Sequence, residues 1–244
     1  MRALRILLIL VVILGGLFVI VDRVAVHFAQ NEAADKLRTT ENLATTPDVS
    51  IKGFPFLTQV LSGELDDVEV GIKDYEATTG NGSEKIRIAD LNASMKDVTF
   101  SGDYSSATAA TATGTALITY DELLKAAKAR PTEVLPDVTA QVIGLSDGGN
   151  GKIKVAVKVD APVKLPNPVY VLSSVTAQGN TVRVHADSLP KLAGMEVAGS
   201  QIRAITDFQQ RIDQLPGGIK LENVEAGENG VEIAVKGSGV RLAG

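Results

Sequence analysis

The chain has 244 residues, 45% of them hydrophobic but only 4% aromatic, with no tryptophan and no cysteine. That size and apolarity exclude disorder as the dominant state, and the lack of cysteine excludes a disulfide framework, a thiolate-ligated metal and a lipid-modified N-terminal cysteine. A net charge of −5 gives no general attraction to nucleic acid.

Residues 6–21, ILLILVVILGGLFVIV, are sixteen consecutive uncharged apolar residues between Arg2 and Arg5 on one side and Asp22-Arg23 on the other. As a helix they rise about 24 Å, a little short of the roughly 30 Å hydrocarbon core, and the flanking arginines can snorkel across the difference. The competing reading is a cleaved signal peptide, which needs small residues around the cleavage point. Cleavage after Ala25, Ala29, Ala33 or Ala34 would instead put Arg23, His27, Asn31 or Glu32 where a small residue is wanted. Residues 1–23 are therefore expected to be a cytoplasmic N-terminus with an uncleaved transmembrane signal anchor, the arginines holding the start of the chain inside.

Residues 24–46 read as a helical connector, with Val24, Phe28, Ala34 and Leu37 at helical spacing and an end before Pro47. His27 falls at the membrane edge as an interfacial polar residue. Residues 47–244 then form one extracytoplasmic domain. Its first segment, VSIKGFPFLTQVL (49–61), sets Phe54 and Phe56 around Pro55 where a soluble domain usually carries a polar turn. A core, a membrane or an apolar ligand has to cover that corner.

Four turn signals, Asn81-Gly82, Asn150-Gly151, Gly179-Asn180 and Asn229-Gly230, each separate alternating apolar runs, as antiparallel hairpins require. The clearest strand covers 152–165, with Ile153, Val155, Val157, Val159, Ala161, Val163 and Leu165 on one face and Lys152, Lys154, Lys158 and Lys164 on the other. A strand this long with one apolar face is expected to twist and curl. Shorter strands are expected at Val68–Ile72, Ile86–Ile88, Leu91–Met95, Val182–Ala186 and Val231–Val235, with a bulge between Ile88 and Leu91. The low-complexity stretch 105–116 reads as a loop leading into an edge strand. A capping box, Thr119 to Glu122, opens a helix that stops at Pro131. A second helix is expected over 200–215, with Ile202, Ile205, Phe208, Ile212 and Leu215 on one stripe. The fold class is thus α+β: a strongly curved antiparallel sheet wrapped around amphipathic helices, preceded by an N-terminal transmembrane helix.

Catalytic signals are weak. Gly144-Leu145-Ser146-Asp147-Gly148 matches the hydrolase pattern G-x-S-x-G, but a hairpin and strand come next where the pattern needs a helix. His185 sits on the polar face of its strand, beside Arg183 and Asp187. No phosphate loop, dinucleotide fingerprint or calcium loop is present, and two histidines without cysteine make a poor zinc set. The chain is expected not to be an enzyme and to carry no cofactor or metal.

The segment PDVSIKGFPFLTQVLSGELDDVEV (47–70), after an apolar N-terminal helix and before LPGGIKLENV (215–224), resembles the actinobacterial LmeA-like family of phospholipid-binding proteins. The resemblance covers roughly residues 24–243, and GFPFLTQVL is its specific element. It implies a fold akin to the tubular lipid-binding proteins, binding of phospholipid with phosphatidylinositol among the ligands, and in mycobacterial members a role in elongating mannose-bearing envelope lipids. The expected partners are a phospholipid ligand, the cell membrane and envelope glycolipid-synthesis proteins, with no nucleic acid. The expected lipid contacts are a short apolar helix or lid, Phe54, Phe56, Leu57, Val60 and Leu61, and a groove lined by Ile153, Val155, Val157 and Val159 from the sheet and Ile202, Ile205, Phe208 and Ile212 from the helix. Lys152, Lys154 and Lys158 are the candidates for meeting an anionic headgroup. The rival class is an anchored interaction or scaffold domain whose apolar face is filled by its own helices.

Overall fold

The computed structural model describes residues 2–78, 85–103, 106–126, 131–162, 168–188, 203, 206–211 and 218–243. The architecture is α+β, with a strongly curled antiparallel sheet and a long apolar N-terminal helix. That helix, α1 (Arg2–Thr40), is long and apolar enough to cross a membrane, and every described residue through Val21 is exposed. One sheet has the order β1 (Asp48–Lys52), β2 (Glu64–Thr78), β3 (Lys85–Phe100), β4 (Ala107–Thr119), β12 (Gly230–Ala243), β11 (Ile219–Ala226). The other runs β10 (Phe208–Arg211), β9 (Thr181–Ser188), β8 (Val169–Gln178), β7 (Lys152–Asp160), β6 (Val138–Gly149), β5 (Thr132–Leu135). Two short helices complete the set, α2 (Phe56–Ser62) and α3 (Tyr120–Ala126).

The chain forms two compact units. The first takes Met1–Ile72, Asn92–Thr113 and Gly237–Gly244; the second takes Lys73–Leu91 and Gly114–Lys236. In the first unit α1 packs on β1 and α2. Its core gathers Val26, Phe56, Leu65, Val98, Ala107 and Ala109. In the second unit β11 lies against β8 and β7, and α3 lies against β6. Its core takes the row Ile153, Val155, Val157 and Val159 of β7 together with Val169, Val171 and Val175 of β8, Ala186 of β9, and Leu221, Val224 and Ala226 of β11.

Local turn chemistry explains two hairpins directly. Gly149 at the end of β6 and Asn150 and Gly151 in the turn to β7 all have positive φ, as does Gly179 between β8 and β9. The Asn229-Gly230 turn joins the neighbours β11 and β12, while Asn81-Gly82 lies outside the described residues. Register shifts put an extra residue into β6 between Val142 and Gly144 and again between Asp147 and Gly149, and one, Asp187, into β9 opposite the Leu172–Ser173 step of β8; such bulges raise local twist. The helix start at Thr119 is also as expected: its hydroxyl accepts from the Glu122 amide at 3.4 Å.

Three local expectations need correction. The Ala/Thr stretch is no loop before an edge strand; it is most of β4, an interior strand between β3 and β12, with Ala107, Ala109 and Ala112 buried. Small side chains alternate there without the hydrophobic contrast that usually betrays a strand. The strand beginning at Lys152 ends at Asp160, ahead of Pro162, which has no amide hydrogen to continue the ladder; Val163, Lys164 and Leu165 lie outside the described residues. Finally, residues 208–211 of the expected helix 200–215 form β10, antiparallel to β9 with Phe208 opposite Val184. Arg203 and Thr206 are helical, but the free edge of β9 offers backbone partners that outweigh the stripe's helical spacing from Phe208 onward. Ile202, Ile205 and Ile212 lie outside the described residues.

Candidate functional site

The aromatic corner is built where α1 loses its apolar character. Asp22, the first charged residue after the apolar run, is fully buried, and its Oδ1 accepts the Leu57 amide at 2.8 Å in the first turn of α2. The Arg23 guanidinium pairs with Asp22 Oδ2, donates to the Gly53 carbonyl at 3.5 Å and lies 5.1 Å from the centroid of the Phe54 ring. Gly53 has φ +92°, and a Cβ there would come within 2.4 Å of both Asp66 Oδ2 and Gln59 Nε2. The Phe54-Pro55 peptide is cis. Gln59 turns its Oε1 back to accept the Asp66 amide at 2.8 Å, so α2 is tied to β2 as well as to α1. Gly63, with φ +75°, closes α2 by donating its amide to the Val60 carbonyl at 3.1 Å.

The five apolar residues of this corner divide in two. Phe56 is buried at 7% exposure in the first unit's core, with Leu57 and Val60 packed partly against it. Phe54 and Leu61 face outward at 57% and 84% exposure. Phe56 thus explains half of the puzzle of an apolar turn, and Phe54 and Leu61 are left uncovered.

The second unit contains the β7 row. Ile153, Val155, Val157 and Val159 are only 1–4% exposed, in the alternating pattern that the sequence dictates. They pack within the same core as β8 and β11 side chains. Phe208, expected as a helical groove residue, sits instead on the edge strand β10. On the opposite face of β7, Lys152 Nζ lies 3.0 Å from Asp187 Oδ2, Lys158 Nζ lies 3.0 Å from Asp160 Oδ2, and Lys154 stands 6.0 Å from the centroid of the Tyr170 ring. The lysines do share one face, but two of the three already meet a carboxylate.

Ser146 lies inside β6, opposite Lys154 of β7, so the sharp strand-to-helix turn of a hydrolase elbow is missing there. His185 has a partner that its neighbours in sequence do not announce: its Nδ1 is 2.7 Å from Asp207 Oδ2, whose other oxygen accepts the Ala186 amide at 2.9 Å. The serine opposite His185 across the β8–β9 pair is Ser174, and its hydroxyl lies 2.8 Å from both oxygens of Asp187. A histidine–aspartate pair is therefore present on an exposed strand face, with the nearest cross-strand serine engaged elsewhere. Among the described residues no cluster of three or more His, Asp or Glu side chains is placed to hold a metal ion.

A family profile described as LmeA-like phospholipid-binding matches residues 20–236. No curated protein and no solved structure matches the chain.

Proposed function

The chain belongs to the LmeA-like phospholipid-binding family, and from that premise we propose that it is a non-enzymatic, membrane-anchored protein that holds or presents a phospholipid outside the cell membrane. The family match carries the lipid reading. The anchor is supported by the apolar exposed helix through Val21 and by the residues directly after it. Asp22 and Val26 are built into the first unit, so cleavage anywhere after Arg23 would strip the α2 contact from Asp22, and cleavage after Ala29 would also remove a core valine. In this reading the N-terminus is cytoplasmic, residues 1–23 carry an uncleaved signal anchor, and residues 47–244 are extracytoplasmic. The ligands include phosphatidylinositol, and the context is envelope glycolipid biogenesis, with envelope glycolipid-synthesis proteins as partners.

Acyl chains would gain about 25 cal/mol for each Å² buried, with little selectivity among chains. Contacts are proposed in each unit by itself: in the first the lid residues Phe54, Phe56, Leu57, Val60 and Leu61, and in the second the sheet residues Ile153, Val155, Val157 and Val159, with Phe208 and, outside the described residues, Ile202, Ile205 and Ile212 completing the set. Because the β7 row is closed against its neighbours, an acyl chain would reach it only where that layer parts. Headgroup preference is assigned to the lysine face, where Lys154 has no acidic partner among the described residues. Replacing Lys152, Lys154 and Lys158 together by Gln is expected to weaken binding to anionic vesicles and leave zwitterionic ones unchanged; unchanged proportions would remove the lysines from the site.

One observation favours a second reading. The 1–4% exposure of the β7 row is what a scaffold domain filled by its own chain would show. Lipid extraction from the purified full-length protein separates the two: the lipid reading expects a defined phospholipid, and the scaffold reading expects none together with a stoichiometric protein partner.

A further inference from the structure

Beyond Val21, seven large apolar side chains of the described residues stand exposed, and four of them, Val24, Phe28, Phe54 and Leu61, belong to α1 just past the apolar run or to the aromatic corner it supports. Their exposures are 65%, 70%, 57% and 84%. Val24 and Phe28 are four residues apart and share a face of α1. Phe54 is fixed near the same level because its ring lies 5.1 Å from Arg23, two residues after the last apolar one. Leu61 is one helical turn beyond Leu57, whose amide is held by Asp22.

From this placement we propose that Phe54 and Leu61, with Val24 and Phe28, form a bilayer contact by which the first unit rests on the leaflet that α1 leaves. The inference rests on the anchored reading above and assigns these two lid residues to the membrane surface. If residues 6–21 span the hydrocarbon, Arg23 comes to the headgroup level, where a guanidinium snorkels and apolar side chains such as Phe and Leu bury into the boundary with the acyl chains. A phenylalanine held against that arginine lies at the boundary between headgroups and acyl chains. Water would otherwise meet both Phe54 and Leu61, an unfavourable exposure that the interface relieves. The ion pair between Asp22 and Arg23 and the Leu57 amide hold the corner in place, so the contact fixes the height of the unit above the membrane.

Because the chain has no tryptophan, Phe54→Trp and, separately, Leu61→Trp each create a single fluorescent reporter in the full-length protein. The proteins are reconstituted into vesicles of phosphatidylcholine and phosphatidylglycerol, with brominated phosphatidylcholine carrying bromine near either the headgroup end or the methyl end of the chain. The expected result is blue-shifted emission that loses most of its intensity to the shallow bromines and less to the deep ones. Emission of a water-exposed indole with no quenching, in protein that floats with the vesicles, overturns the inference and leaves the anchor standing. Blue-shifted emission without quenching also overturns it, by showing that protein, such as a second copy, covers the corner. Protein that does not float with the vesicles overturns the anchor and this inference together. Quenching that persists after release into mild detergent, which keeps a bound phospholipid but disperses the bilayer, would come from a retained ligand and overturns the inference; quenching lost on release reports the bilayer, and lipid extraction decides the ligand reading separately.

Discussion

The carboxylate of Asp22 is fully buried, and both of its oxygens are used, one by the Leu57 amide and the other by Arg23. Asp22→Ala is expected to free the first turn of α2, read as faster hydrogen exchange at the Leu57 amide with little change at the second unit's strands; Asp22→Asn, which keeps an acceptor, should restore much of the protection. Phe56→Ala, at the centre of the same corner, should cost about 3–5 kcal/mol in chemical denaturation, since a large buried ring leaves a cavity. The contact from Asp22 to α2 could not be read from the sequence. The pair Asp22 and Leu57 is separated by 35 positions, and nothing local to either residue announces the other. In the second unit, Glu122 lies 2.6 Å from Lys125 and 3.5 Å from Arg87. The hydrogen bond from Lys125, together with the weaker interactions with Arg87, holds its carboxyl below the ordinary carboxylate range. Between its lowered folded pKa and its ordinary unfolded one, the unfolded chain binds more protons, so this contribution is full above the ordinary range and is lost as pH falls through the folded value. Glu122→Gln should flatten that part of an acid-unfolding profile; an unchanged slope would show that the pair contributes nothing.

Elements differ in how clearly the sequence announced them, and the difference reflects the range of the forces involved. The turns at Asn150-Gly151 and Gly179-Asn180 were legible because positive φ is a local demand that few residues meet. The burial of β7 was legible because alternation of valine with lysine has only one reading on a pleated strand. The strand β10 was not, because its pairing with β9 is a long-range choice and its spacing also fits a helix. The strand β4 was not, because alanine and threonine differ too little in hydrophobicity to reveal a face. Ala109, at 0% exposure, instead shows that small size is what this strand supplies. Ala109→Leu should therefore cost about 1–3 kcal/mol through overpacking, whereas Ala110→Leu, on the exposed side of the same strand, should change stability little. Equal effects at the two positions in thermal unfolding would contradict the observed facing of β4.

At the scale of the whole molecule, the resemblance carried by GFPFLTQVL and the family match over residues 20–236 agree, and the apolar helix through Val21 is compatible with a membrane tether. The lipid-contact set was less legible than the fold. Core and groove residues look alike when only polarity is visible, and the structure puts the β7 row in a closed layer while leaving Phe54 and Leu61 outside any core. A mutation such as Val157→Asp would therefore be expected to unfold the second unit, because a carboxylate has no partner in that layer, so loss of binding in that variant would say nothing about a groove. Native mass spectrometry of the unmodified full-length protein, released from membranes in mild detergent, avoids this ambiguity and tests the central claim most directly. The account predicts a defined population carrying one phospholipid that survives detergent washing and exchanges with phospholipid supplied in vesicles. Bare protein, with neither retained phospholipid nor uptake from any vesicle, would contradict it.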